Sequence, residues 1–241
     1  MSYLLWICIG LFVVFIVILL LCILPKQESY KAGLTRYRKS LYYKSTRNNY
    51  NRVVYDQGLY GEYEITCILE NCAHNAKFLH NVYIPYGNKT TEIDIIMIHP
   101  AGIFVIESKN YSGVVYGNAN DKMWMQKING QIQEFYNPVA QNALHVGALR
   151  KLLGNNVNMH PFVVFSNRCK LKIRTQNNCL PVIHQKQLRK DIKRIINYGY
   201  TSMTSTQINK TYRLLKQYVH VNEKIKKQHQ EAVAAATRRQ R

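Results

Sequence analysis

The sequence predicts an α/β domain with a central sheet covered by helices on both sides, preceded by one transmembrane helix. Three observations predict it. A charge-free apolar run opens the chain, short apolar runs separated by turn signals fill its middle, and helical patterns stand before and after that block. With 47% hydrophobic and 11% aromatic residues, the chain of 241 is too apolar to be mostly disordered and large enough to bury a core.

From Tyr3 to Leu24, 22 consecutive residues carry no formal charge, and at about 1.5 Å per residue such a helix spans a ~30 Å hydrocarbon layer. A signal peptide would need a basic leader, a shorter apolar stretch and a small-residue cleavage site, all of which are missing. A buried core helix would show a polar stripe, and there is none. After the run come Lys26, Lys31, Arg36, Arg38, Lys39, Lys44, Arg47 and Arg52, opposed only by Glu28. The positive-inside rule then places the anchor in the cell membrane as a single pass, with the C-terminal part cytoplasmic. The same basic residues, interleaved with tyrosines, suit anionic lipid headgroups.

Residues 25–55 read as a basic linker or short helix. A helical stretch is expected from Gln57 to Leu79, then strands over Phe78–Ile84, Thr91–Ile98 and Ile103–Lys109, the last two joined by the breaker His99-Pro100-Ala101-Gly102. Val114–Tyr116 and Lys122–Ile128 continue the strand signals, and Asn129-Gly130 predicts a tight hairpin into Gln131–Phe135. Asn137-Pro138 opens a helix that Gly154 ends, because Asn caps well and Pro suits the first helical position. Short strands at Pro161–Phe165 and Leu180–Ile183 and helices from Gln185 and from Thr206 close the order. The main domain is expected over 56–200, and 201–241 as a basic helical extension.

The formal net charge is +20, from 33 Lys and Arg against 13 Asp and Glu. That excludes an acidic or neutral enzyme surface and predicts a polyanionic partner, either nucleic acid or anionic lipid. The scattered cysteines form no C-x-x-C pair; free thiols are expected, rather than a zinc site at Cys67, Cys72 and His74. His74, His80, His99 and His145 read as ordinary core or surface histidines, and Trp124 and Phe135 as packing residues.

The hairpin around His99–Gly102 concentrates the chemistry. If Ile98 pairs with Ile103, Asp94 lies opposite Glu107 and Glu92 opposite Lys109. Asp94, Glu107 and Lys109 then project from one face, with Ile96, Ile98, Ile103 and Val105 beside them and Ile93, Ile95, Met97, Phe104 and Ile106 on the other face. Opposed carboxylates in an apolar pair repel unless a cation intervenes. Oxygen ligands favour a hard ion, with Mg²⁺ the first choice and Mn²⁺ the alternative. The competing structural reading is a plain salt bridge to Lys109 at a strand end.

Gly61-Glu62, Thr91-Glu92-Ile93-Asp94, the run Pro100–Asn110 with Glu107-Ser108-Lys109, Gly113, Trp124 and Asn137-Pro138-Val139-Ala140-Gln141-Asn142 together resemble the nuclease-related domain (NERD) family, over about residues 61–153. That family is similar to the restriction-endonuclease-like PD-(D/E)xK superfamily. The resemblance implies a mixed central sheet flanked by helices and Mg²⁺-dependent cleavage of DNA. It also implies a metal site at Asp94 and Glu107 with Glu62 as a further ligand, Lys109 as catalytic lysine, and Gln141 contacting substrate or nucleophile. Two other classes stay open: a module that tethers nucleic acid at the membrane without cutting it, and a scaffold whose charge serves lipid alone.

Overall fold

The computed structural model describes residues 28–87, 89–174 and 181–219, together with Phe12, Lys227 and Glu231. Among them no helix is long and apolar enough to cross a membrane; all of the expected anchor at 3–24 except Phe12 lies outside the described residues. The described chain begins with helix α1 (28–39), followed by α2 (Leu41–Thr46), α3 (Tyr50–Tyr55) and α4 (Gln57–Glu70). Strands β1 (Lys77–Tyr86), β2 (Lys89–His99), β3 (Gly102–Lys109), β4 (Gly113–Asn118), β5 (Met123–Ile128) and β6 (Gln131–Tyr136) run to α5 (Pro138–Leu153). Then come β7 (Met159–Phe165), β8 (Cys169–Arg174), β9 (Val182–His184), α6 (Gln185–Tyr198) and α7 (Ser205–Lys216).

The strands form two mixed sheets rather than the single central one expected. The first has order β1-β2-β3-β7-β9, the second β6-β5-β4-β8. In the first, β2 is antiparallel to both β1 and β3, whereas β3, β7 and β9 run parallel. Its β3 is nearly continuously apolar because both faces are covered. Ile95, Met97, Phe104 and Ile106 pack on one side with Ile65 and Leu69 of α4 and Leu188 and Ile192 of α6. Ile96, Ile98, Ile103 and Val105 pack on the other with Ala148 and Leu149 of α5 and Ile208 and Leu215 of α7. Val163 and Phe165 of β7 join Val115 and Trp124 in a third cluster beneath the second sheet, where Trp124 stacks on Phe165.

Of the two readings of the stretch at 25–55, linker or short helix, the described part at 28–55 takes the helical one. Tyr37, Tyr42 and Val53 are fully buried and Leu59 and Tyr63 of α4 pack against them, so tyrosines that look polar in the sequence form a fourth cluster. Ser40 and Asn49 cap α2 and α3 by accepting from Tyr43 N and Asn51 N. At the other end, Met203, Ile208 and Leu215 attach the first turns of the expected extension to the sheet core.

Phe104 sits at the centre of this packing, fully buried and stacked on Phe162 at 6.4 Å between ring centroids. Phe104→Ala is expected to cost about 3–5 kcal/mol. Urea denaturation of the pure protein measures this directly, and a loss below about 1 kcal/mol would show that β3 is not the core strand.

Candidate active site

The β2–β3 turn sets the register. Gly102 has φ +134°, and a Cβ there would lie 2.5 Å from Asn158 O, so the position admits only glycine without rearrangement. Ile98 pairs with Ile103 as expected, and the ladder runs to Ile95 opposite Ile106. Beyond that the strands part. Instead of a further ladder bond, Asp94 Oδ2 accepts from Ser108 N at 2.8 Å, and Glu92 is not a ladder partner of Lys109.

The parting coincides with a break in β1. Asn81 adopts φ 50°, a conformation asparagine tolerates better than most residues, and the Asn81–Asp94 position is absent from a ladder that resumes in the same register on both sides. The strand faces exchange there. Val82 and Ile93 join the face of Leu79, Ile96 and Ile98, which corrects the expectation that Ile93 shares the face of Ile95 and Met97. Asp94 thereby lines a cleft of about 830 Å³ that Glu62, His80, Asn81 and Glu92 also line.

Glu107 is almost completely buried, and Lys109 Nζ donates to its Oε1 at 2.5 Å. Its Oε2 lies 3.0 Å from His145 Nε2 on α5, whose Nδ1 is 2.7 Å from Thr91 Oγ1. Lys109 Nζ also donates to Gln141 Oε1 at 3.3 Å. The helix carrying Gln141 and His145 is held in place by its first residues. Asn137 Oδ1 caps Val139 N and Ala140 N, while the buried Asn142 amide donates to Val105 O on β3 and Phe162 O on β7. Sequence reasoning treated His145 as ordinary; its spacing of four from Gln141 puts both on one helical face, and that was the available signal.

Electrostatics divide the acids into two kinds. Burial pushes the Asp94 carboxyl well above the usual range, and the charges of Glu107 and Glu62 add to this against the opposing Lys109 and Ser108 N–H. Burial likewise raises Glu62 to about 8, although Tyr42 donates its hydroxyl to Oε2 at 3.1 Å. For Glu107 burial acts in the same sense, but Lys109 and His145 outweigh it and bring the group down to about 2. Lys109 is raised, since the attraction of Glu107 and Asp94 exceeds the effect of its own burial. The site thus holds one closed ion pair, Lys109 with Glu107, beside two buried carboxyls, Asp94 and Glu62, whose ionisation is disfavoured for want of positive charge.

The structure therefore brings Asp94, Glu107, Lys109 and Gln141 together. Glu62 faces the same cleft, with its carboxylate bound to Tyr42 and Asn81. Among the described residues no three His, Cys, Asp or Glu side chains form a cluster that could hold a metal, at Asp94 or at Cys67 and Cys72, whose thiols are free. The donor chemistry nevertheless fits a hard cation that keeps most of its waters, since Mg²⁺ commonly takes only one or two carboxylates. Asp94 and Glu107 would hold it, and its charge would offset the burial that disfavours ionisation of Asp94.

Residues 57–166 match the model of the nuclease-related domain, NERD, a span that contains Glu62, Asp94, Glu107, Lys109 and Gln141. An uncharacterized protein of Bacillus anthracis is 31% identical over 154 residues, covering 63% of this chain and 71% of that protein. No solved structure matches the chain significantly. Two mixed sheets flanked by helices, the Asp94 and Glu-Ser-Lys hairpin and these matches lead to one conclusion: the chain belongs to the nuclease-related domain family.

Proposed function

We propose that the chain is a membrane-anchored, Mg²⁺-dependent nuclease that hydrolyses phosphodiester bonds in nucleic acid, with DNA the first substrate. The observation that carries this reading is the cluster at the parting of β2 and β3. There the buried Asp94 carboxyl, whose ionisation burial disfavours, stands beside Glu107, which is paired with Lys109, a surplus of buried carboxylate oxygen in a chain of formal net charge +20. Anchoring through residues 3–24, with the domain on the cytoplasmic side, rests on the uncharged run and its basic flank.

A bound divalent ion would supply acidification of the attacking water and neutralisation of charge on the phosphate. The remaining work falls to the protein's own groups. Because its pKa is raised, Lys109 stays charged at neutral pH and acts as an electrostatic stabiliser of the phosphate rather than as a general base. Gln141 and Glu107 hold its ammonium from two sides, and His145 holds Glu107 in turn.

The test is cleavage of supercoiled plasmid and linear DNA by the full chain in detergent, with Mg²⁺ and with a chelator. Cutting should require the cation and fall at least ~10²-fold in Glu107→Gln. Equal rates in chelator, or an unaffected variant, would remove the assignment. Binding without cutting, weakening steeply with salt, would identify a tethering module instead.

A further inference from the structure

The cleft is only half built from the residues that match the nuclease-related domain. Its floor is Glu62, Asp94 and Glu92, but Ser45, Thr46, Asn48 and Arg52 also line it, and all four precede the matched span at 57–166. They belong to α2, α3 and the turn between them, the stretch that sequence alone reads as a linker or short helix.

This wall is fixed against the floor. Tyr37 and Tyr42 are fully buried, Tyr37 donates to Asn48 O at 2.8 Å, and Tyr42 donates to Glu62 Oε2 at 3.1 Å. A phenol and a carboxyl thus connect wall to floor. Arg52 stands exposed at the last turn of α3, and no described acidic side chain forms an ion pair with it. A further group in the cleft also lacks a partner. The Thr66 hydroxyl donates to Glu62 O, so His80 Nε2 must donate to Thr66; the buried His80 Nδ1 is left as an acceptor with no donor.

An acidic floor repels a phosphodiester unless cations lie on the path of the strand. An exposed arginine without a described acidic partner suits that need, because its planar donors match phosphate oxygens. Resting on the nuclease reading, we propose that α2 and α3 form a phosphate-anchoring wall in which Arg52 binds the nucleic-acid backbone beside the scissile bond. The segment between anchor and family domain is on this account part of the substrate site, and Tyr42 positions it through Glu62.

The experiment uses full-length protein in detergent and a fluorescent DNA oligonucleotide, measured by anisotropy across a salt series and by cleavage kinetics. Arg52→Ala is compared with Arg52→Lys and with Arg194→Ala, which removes the same charge from the exposed face of α6. Arg52→Ala should raise Kd and KM about 10-fold with kcat changed less than ~3-fold, and lower the salt slope by about one phosphate contact. Arg52→Lys should recover part of the affinity, and Arg194→Ala should change Kd by less than ~2-fold. Equal weakening by Arg52→Ala and Arg194→Ala, or an unchanged salt slope in Arg52→Ala, would overturn the proposal. Should the protein bind DNA without cutting it, an effect confined to Arg52 still supports the wall, so its failure and that of the nuclease reading are separable.

Discussion

Asp94→Asn is expected to abolish Mg²⁺-dependent cleavage, by about 10³-fold or more, while making the metal-free protein more stable at pH 7 to 8. Both effects have one origin. The folded state holds the Asp94 carboxyl well above its usual range, through burial first and then the negative charges of Glu107 and Glu62. As pH rises past the ordinary carboxylate range, the unfolded chain loses this proton and the folded chain keeps it. Folding stability therefore falls with pH across that window. Asparagine carries no such proton, so its advantage of about 1–2 kcal/mol appears above the window and vanishes below about pH 4. Saturating Mg²⁺ should reverse the order by stabilising wild type alone. Thermal melts at pH 4 and pH 8, with and without the ion, measure all of this; a variant less stable than wild type at pH 8 without metal would contradict it.

Lys109→Ala is expected to act in the opposite sense on stability. It removes the ammonium that neutralises Glu107, a group about 1% exposed, and leaves that carboxylate with His145 alone. Breaking one side of a buried pair costs about 3–5 kcal/mol, and cleavage should fall about 10²–10³-fold. The stabilisation that Glu107 contributes is present above the ordinary carboxylate pKa and is lost as pH falls towards about 2. The variant's deficit should therefore be full at pH 7 and shrink in acid. The double variant Lys109→Ala, Glu107→Gln should regain most of the stability and none of the activity. Urea denaturation of the four combinations gives the coupling energy, and independent, additive effects would show that the pair is not joined as described.

How much of this was legible depended on whether the signal was local. The breaker His99–Gly102 fixed the β2–β3 register, because a turn of known length between two apolar runs leaves one pairing that buries both faces. From that register the neighbourhood of Asp94, Glu107 and Lys109 followed. The helix opened by Asn137-Pro138 likewise brought Gln141 to Lys109. Alternation failed at Asn81, where a single left-handed residue exchanges the faces of two strands and sends Ile93 to the other core. Nothing in the run Thr91–Ile98 announces that exchange, since its cause lies on the partner strand.

Residues 30–55 left the choice between linker and short helix open for a different reason. Tyrosine, asparagine and basic residues fill that stretch, yet Tyr37, Tyr42 and Val53 bury their rings and side chain against α4 while the charged residues face outward. The second sheet escaped because its β4–β8 pairing is parallel and joins residues more than fifty apart, a contact that no local pattern records. His145 was missed because its spacing of four from Gln141 gains meaning only once Glu107 and Thr91 are seen on either side of it.

The central claim is that the parting of β2 and β3 collects a divalent cation for phosphodiester hydrolysis. Diffraction from crystals of the full chain grown with Mn²⁺, recorded at the manganese edge, tests it most directly. A single anomalous peak between the carboxylates of Asp94 and Glu107, lost in Asp94→Asn, is the predicted result. No peak there, with Lys109 still closed on Glu107 in the presence of the ion, would contradict it.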